Sequence, residues 1–163
     1  MTAPRPSGRL IGVISDTHGL VRPDVHSALA GVELILHAGD VGGDEILTEL
    51  ALIAPVRAVY GNTDPPGQPG LAAAIDMAID GVSIHVSHGH EVGSPTPDKL
   101  LECYTADVVV YGHTHRPLIA RASDRLVLNP GAAGPRRFDI VPSVARLTIA
   151  DGRAEADLIA LRA

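Results

Sequence analysis

Five short apolar runs in this chain each break off into Asp, Asn or His with a glycine close by. They end in Ser15-Asp16-Thr17-His18, Gly39-Asp40, Gly61-Asn62-Thr63-Asp64, His88-Gly89-His90 and Gly112-His113-Thr114-His115. A short apolar run closed by a polar residue reads as a buried strand. In an open α/β sheet, ligands bind outside the carboxyl ends of the strands. The polar residues therefore fall where a site should form, and the fold must bring those strand ends together.

The first half alternates in style. Leu10 to Ser15, Glu33 to His37 and Val56 to Tyr60 read as strands, and Pro23 to Ala30 and Asp44 to Ile53 as helices between them. Pro23 opens the first helix and Gly31 follows its end. Asp44 is placed to cap the second. This alternation predicts parallel strands with right-handed crossovers. The second half is richer in hairpins. Ile75 to Ile79 and Val82 to Ser87 flank Asp80-Gly81, a strong turn signal. Thr96-Pro97 opens a helix to about Tyr104, and Asp107 to Tyr111 is a further buried strand. Leu118 to Arg121 and Arg125 to Leu128 pair across Ser123-Asp124, and Ser143 to Ile149 and Ala154 to Ile159 across Asp151-Gly152. Two sheets packed face to face with helices outside would house this pattern. Pro65 to Gly70 reads as a stiff loop inside one domain, not a boundary.

At 163 residues the chain is one domain by size. Residues 1–8, polar and proline-containing, are expected to be flexible. The 13 basic and 19 acidic residues leave a net charge of −6, which offers a polyanion no broad attraction. Aromatics are 2%, too few for a base-stacking platform. Stable nucleic-acid binding is therefore not expected. One cysteine, Cys103, excludes an intrachain disulfide and fits a cytoplasmic location. No apolar stretch approaches the roughly 18 residues of a membrane span. Eight histidines against one Phe and no Trp point instead to metal.

Carboxylate, imidazole and amide oxygen together suit divalent ions such as Mn, Fe or Zn. Asp-x-His and His-x-His, each just past a strand, can turn two side chains into one cavity. Asp16, His18, Asp40, Asn62, His88, His113 and His115 make seven candidate ligands, too many for one tetrahedral ion. They suit two ions sharing a carboxylate.

Asp16-Thr17-His18, Gly39-Asp40, Gly61-Asn62, His88 and Gly112-His113-Thr114-His115, in this order, resemble the calcineurin-like metallophosphoesterases. Ser87-His88-Gly89-His90, Asn129-Pro130-Gly131 and the chain length resemble the small YfcE-type phosphodiesterase branch, over roughly Ile11 to Gly131. The resemblance implies a single metallophosphoesterase domain over 1–163. Its fold would be a four-layer αββα sandwich, mixed α/β, of two packed mixed sheets with helices outside. It further implies that Asp16, His18 and His115 hold one ion, that Asn62, His88 and His113 hold the other, and that Asp40 bridges. Mn is the first choice, with Fe, Zn and Ni accepted. Two ions about 3.5–4 Å apart would generate a bridging hydroxide that attacks phosphorus in line with the leaving group. His ligands must be neutral to bind metal, so activity should fall in mild acid.

The sequence departs from the pattern at one place. Larger members carry a His after the Asn, where this chain has Thr63. That His is thought to protonate the leaving group or stabilise the transition state, and its absence tilts the reading to a small phosphodiester substrate. His90 can stand in for it, or can orient His88. Phosphomonoester hydrolysis, as by a nucleotidase, is the alternative within the class. A protein-binding scaffold like the eukaryotic retromer subunit is the alternative outside it, and the seven intact ligand types argue against that role.

The remaining candidates have plainer readings. His26 belongs on an exposed helix face, His37 in the core, and His85 on a solvated or second sheet face. Asp64 fixes the Asn62 loop or serves the site. Cys103 reads as a small buried apolar residue, and Arg136 and Arg137 as a solvated pair or a phosphate contact. Edge strands of the second half could pair between subunits.

Overall fold

A computed structural model describes residues 8–65, 67–137 and 139–162. Of the expected flexible N-terminus, residues 1–7 lie outside this range. Among the described residues eleven strands form two sheets. The first sheet contains β1 (Arg9–Ile14), β2 (Leu34–His37), β3 (Val56–Val59), β4 (Leu71–Ala72), β10 (Ser143–Ala150) and β11 (Arg153–Ala160), in the order β11-β10-β1-β2-β3-β4. The second contains β5 (Ile75–Ile79), β6 (Val82–Val86), β7 (Val108–Val110), β8 (Leu118–Ala122) and β9 (Arg125–Asn129), in the order β5-β6-β7-β9-β8. Three helices complete the fold: α1 (Asp24–Ala28), α2 (Asp44–Leu50) and α3 (Pro97–Cys103).

Strand alternation explains the layering. Ile11 and Val13 of β1, with Leu36 of β2, meet Ile84, Val86, Val108, Val110, Leu126 and Leu128 of the second sheet in one apolar core. The other face of the first sheet, with Ile14 and Ile35, buries Val25 and Leu29 of the α1 region and Ile46 and Leu50 of α2. The outer face of the second sheet, with Val109 and Val127, buries Leu100 of α3. Period-two side chains thus feed two separate cores per sheet, and the αββα sandwich of mixed sheets follows. Each fully buried Leu or Ile contributes about 2 kcal/mol.

The division into a parallel half and a hairpin half needs correcting. Both sheets have parallel centres, β1-β2-β3-β4 and β6-β7-β9. The hairpins supply antiparallel edges, and the last one, β10-β11, crosses back to pair with β1 of the first sheet. Asp44 does not cap α2. Gly43 occupies the N-cap with φ 135°, and the Asp44 carboxylate instead accepts a hydrogen bond from Gln68 Nε2 at 2.8 Å. Thr96 does cap α3, accepting from Lys99 N at 3.3 Å. Cys103 is exposed, not buried, because α3 turns Leu100 to the sheet and leaves its last turn to solvent. No helix among the described residues is long and apolar enough to cross a membrane.

Candidate metal centre

The carboxyl ends of β1, β2, β3, β6 and β7 meet at one end of the sandwich, and all seven candidate ligands gather there. Asp16, Asp40 and His88 are buried, while His18, His113 and His115 are half-buried. Asn62 is exposed at the rim. Asp16 Oδ1 lies 3.3 Å from His115 Nε2, 3.7 Å from His18 Nε2 and 3.8 Å from His88 Nε2. Asp40 Oδ2 lies 3.3 Å from His88 Nε2 and 3.7 Å from His18 Nε2. Asn62 Oδ1 stands 3.0 Å from His88 Nε2 and 3.1 Å from His113 Nδ1.

The backbone of these loops is unusual. Asp16, His18, Asp40, His113 and His115 have φ of 54°, 44°, 54°, 69° and 63°. Left-handed residues without glycine's freedom cost on the order of 1–3 kcal/mol each, and they cluster at functional sites. The conformation turns each side chain back over the end of its own strand. Two glycines make the close approach possible. A Cβ at Gly61 would lie 2.1 Å from Asp40 Oδ1, and one at Gly112 would lie 2.6 Å from Asp16 Oδ2.

The residues behind the ligands hold them still. Ser15 Oγ donates to Asp16 Oδ2 at 2.7 Å, and His113 N donates to the same oxygen at 3.2 Å. Thr63 N donates to Asp40 Oδ1 at 2.9 Å. His88 Nδ1 donates to Ala38 O at 2.7 Å, which aims Nε2 into the cavity. Asp64 serves the frame: its carboxylate accepts from Gly61 N, Val41 N and Gly42 N at 2.9, 3.0 and 3.1 Å. It ties the second ligand loop to the third.

Asn129 is a positioning residue that motif reading leaves unassigned. Its Nδ2 donates to Gly112 O and Thr114 Oγ1 at 3.1 and 3.0 Å, gripping the loop that carries His113 and His115. The signal was an Asn directly after the apolar run of β9, a sixth strand end.

The donor set fits a cation. Asp16 Oδ1 is buried and has no hydrogen-bond partner among the described residues, an uncompensated cost unless a cation or a proton meets it. His18 Nε2 and His115 Nε2 face each other at 3.3 Å, so one ring can donate to the other in the free protein, and a shared cation would take the place of that proton. Two groups of carboxylate and imidazole atoms can close on an ion, Asp16-His18-His115 and Asp16-Asp40-His88.

Electrostatics agree. Burial works to raise the Asp40 carboxyl, but hydrogen bonding and charge from His88 outweigh it and hold the group well below the usual carboxylate range. Burial would lower His88, yet Asp40 and Asp16 together raise it. Burial lowers His18 and His113, keeping both rings neutral and free to ligate.

The other histidines separate clearly. His26 is exposed and meets Glu49 Oε2 at 3.0 Å. His37 is a core residue directly beneath the site. Its Nδ1 accepts from Gly39 N at 3.1 Å, and its Nε2 donates to Thr17 Oγ1 at 3.0 Å. Burial pushes its pKa down to about 4. His85 is not solvated: it is buried, bonded to Asp76 Oδ1 at 2.7 Å and Ser87 Oγ at 3.0 Å, and stacked on Tyr104. Of its two expected places it takes the second sheet face, where those partners satisfy the ring. His90 sits in a 3-10 turn, His90–Val92, with its ring centre 5.4 Å from that of His88 and 6.3 Å from that of His113. Arg136 and Arg137 are both exposed, and Arg137 borders the site.

Comparison with known proteins bears on this geometry. The model of the calcineurin-like phosphoesterase superfamily domain matches residues 10–152. A probable metallophosphoesterase of Methanothermobacter thermautotrophicus is 39% identical over 161 residues, covering 92% of this chain and 91% of that protein. A phosphodiesterase of Methanocaldococcus jannaschii is 30% identical over 139 residues, covering 74% and 82%. Among solved structures, wild-type Vps29 of Entamoeba histolytica complexed with Zn²⁺ matches with a TM-score of 0.74 at 25% identity, over 93% of this chain and 98% of that one. With its motifs in order and its strand ends converging as those motifs require, the chain belongs to the calcineurin-like phosphoesterase superfamily.

Proposed function

We propose that this metal-dependent phosphoesterase is a phosphodiesterase that works with two divalent ions. In this reading Asp16, His18 and His115 hold one ion, and Asn62, His88 and His113 the other. Asp40, facing both groups, would be shared between the two. The observation that carries it is the placement of Asp40 Oδ2 within 3.7 Å of His18 and 3.3 Å of His88, one ring from each group, while Oδ1 is occupied by Thr63 N. Asp16 Oδ1, 3.8 Å from His88 Nε2, also borders the second group. Mn suits the mixed oxygen and nitrogen donors best, and Fe, Zn and Ni fit them too.

When bound, the ions bring the pKa of a water towards neutrality and draw charge from the phosphoryl oxygens. The chain's own residues do the rest. Neutral His18 and His113 ligate without giving up a proton. Asn62 turns Oδ1 towards His88 and His113, which leaves its Nδ2 to donate to a phosphoryl oxygen at the rim. His90 stands beside His88 and His113, with a buried Nδ1 that has no hydrogen-bond partner among the described residues. We assign it the delivery of a proton to the leaving group, the role for which Thr63 has no suitable atom. The substrate is a small diester, in keeping with the charge of −6. A cytoplasmic setting suits an exposed Cys103.

The test is hydrolysis of bis-(p-nitrophenyl) phosphate by chelator-stripped protein, before and after Mn²⁺, with Asp40→Asn as control. Restored turnover in the wild type alone upholds the reading. Likeness to Vps29 favours a second reading, a protein-binding scaffold. It gains if metal binds but neither this diester nor p-nitrophenyl phosphate turns over.

A further inference from the structure

We propose that Arg116 and Arg137 form a subsite for a second anionic group of the substrate, so that the natural diester carries a phosphate beyond the scissile bond. This rests on the phosphodiesterase reading and names its substrate class. A cavity of about 180 Å³ opens beside the metal centre, lined by His113, Thr114, His115, Arg116, Arg137 and Ile140. It is smaller than the roughly 300 Å³ at which sites for whole small molecules begin. It holds about six waters' worth of space, which suits an appended phosphate. Asn62 and His88 do not line it, so the subsite lies to one side of the reacting group, against His113 and His115.

Both arginines are held on anchored backbone. Arg116 follows His115 directly, and its N–H donates to Thr114 Oγ1 at 3.2 Å. Arg137 stands on the segment after Gly134. There Arg22 Nε donates to Gly134 O at 2.9 Å, and Gly134 N donates to Asp16 O at 3.3 Å. A Cβ at Gly134 would lie 2.0 Å from Thr17 O, so this segment presses against the Asp16–His18 turn. Ile140 N closes the next turn on Arg137 O at 3.3 Å.

The two side chains are also free. Both are exposed, and among the described residues neither guanidinium has a hydrogen bond or an ion pair. Asp139, on the same segment, pairs with neither. The chain has 19 acidic residues and 13 basic ones, so two unpartnered arginines at the lip of a phosphate-processing site run against its general charge. A guanidinium offers a planar fork that matches phosphate in two hydrogen bonds.

The test compares dithymidylate with and without a 5′-terminal phosphate, each as substrate for the Mn²⁺-loaded protein. The wild type is expected to favour the phosphorylated form about tenfold in kcat/KM, one charge-assisted contact's worth. In R116A and in R137A that preference falls below about threefold, and in the double variant it vanishes. A second measurement does not need turnover: calorimetric titration of inorganic pyrophosphate into chelator-stripped protein. Binding should weaken about tenfold in the double variant and fall with added salt. If bis-(p-nitrophenyl) phosphate is hydrolysed but the 5′-phosphate brings no gain, or the gain survives in both variants, the subsite is overturned and the phosphodiesterase reading stands. If no diester is hydrolysed, that reading has failed, and the titration alone decides the subsite: loss in the double variant supports it, and unchanged binding overturns it.

Discussion

The two sides of the candidate metal centre are built by different means. On the His88 side, the ring is fully buried and its Nδ1–H is fixed on Ala38 O, so Nε2 is aimed before any ion arrives. Asn62 and His88 need no left-handed backbone, although His113 of the same group has a φ of 69°. On the His18–His115 side, both rings are half-buried and are aimed by backbone, with φ of 44° and 63°. Their Nε2 atoms meet at 3.3 Å. The His88 ring is fixed by a buried hydrogen bond to the backbone, whereas His18 and His115 are placed by left-handed backbone and by their contact with each other. The first should tolerate the loss of an ion without rearrangement. The second should shift more, since the contact between its two rings has to open to admit a cation.

The largest effect expected joins the two sides. Asp40→Asn keeps an oxygen for Thr63 N but removes the negative charge between His18 and His88. Turnover of bis-(p-nitrophenyl) phosphate should fall at least about 10³-fold, equivalent to several kcal/mol of lost charge stabilisation. A residual rate within tenfold of wild type would show that Asp40 is not shared between them.

The next effect lies in the frame beneath both sides. His37 links the first ligand loop to the second through Thr17 Oγ1 and Gly39 N. Its folded pKa is depressed to about 4, against an ordinary value near 6.5. The unfolded chain therefore binds the proton first as pH falls. The stability that neutral His37 contributes is fully present above about pH 6.5 and is lost between there and pH 4. That loss amounts to about 3 kcal/mol. Urea unfolding of chelator-stripped protein from pH 7 to 4 should show it, and His37→Gln should flatten this part of the profile. An unchanged slope in that variant would mean that other groups carry the acid sensitivity.

Much of this was legible in the sequence because each ligand loop follows an apolar run and carries its own glycine. Gly39-Asp40, Gly61-Asn62 and Gly112-His113 are local patterns, and local patterns survive without knowledge of the fold. What stayed hidden depends on distant partners. Nothing near Ser143 says that β10 will pair with β1, since register is set by cross-strand packing. Whether His85 faced solvent or a covered second sheet face stayed open because its burial depends on Asp76, Ser87 and Tyr104 arriving from other positions. Asp44 looked like a cap because its type is right, and Gly43 took the position because φ 135° excludes side chains. The left-handed ligands left one weak trace: Asp and His tolerate that region better than most residues.

A smaller effect separates the two sides directly. His88→Ala removes a buried, hydrogen-bonded ring and should cost about 2–3 kcal/mol of stability in the metal-free protein. His115→Ala removes a ring that keeps some exposure and has no backbone hydrogen bond among the described residues, and should cost less than His88→Ala, about 1 kcal/mol. Thermal unfolding of the two stripped variants measures the difference, and metal analysis should find each short of one ion per chain. Equal destabilisation would erase the distinction between a ring fixed by a buried hydrogen bond and a ring placed by left-handed backbone.

The smallest effect concerns what the rim adds once both sides are filled. His90 is near both His88 and His113 but belongs to neither group, and its Nδ1 is 3.8 Å from Glu91 Oε1, beyond hydrogen-bond reach. A group that delivers a proton matters only where the leaving oxygen needs one. p-Nitrophenolate departs without protonation, whereas an alkoxide such as a nucleoside 5′-oxygen does not. His90→Gln keeps a polar side chain of similar size but cannot supply a proton. It should therefore slow hydrolysis of dithymidylate about tenfold, less than the ~10²–10⁴-fold typical of acid catalysis because bound ions would also stabilise the leaving oxygen, while changing bis-(p-nitrophenyl) phosphate turnover less than about threefold. If both substrates slow together, His90 acts by orienting His88, and the metal centre alone expels the leaving group.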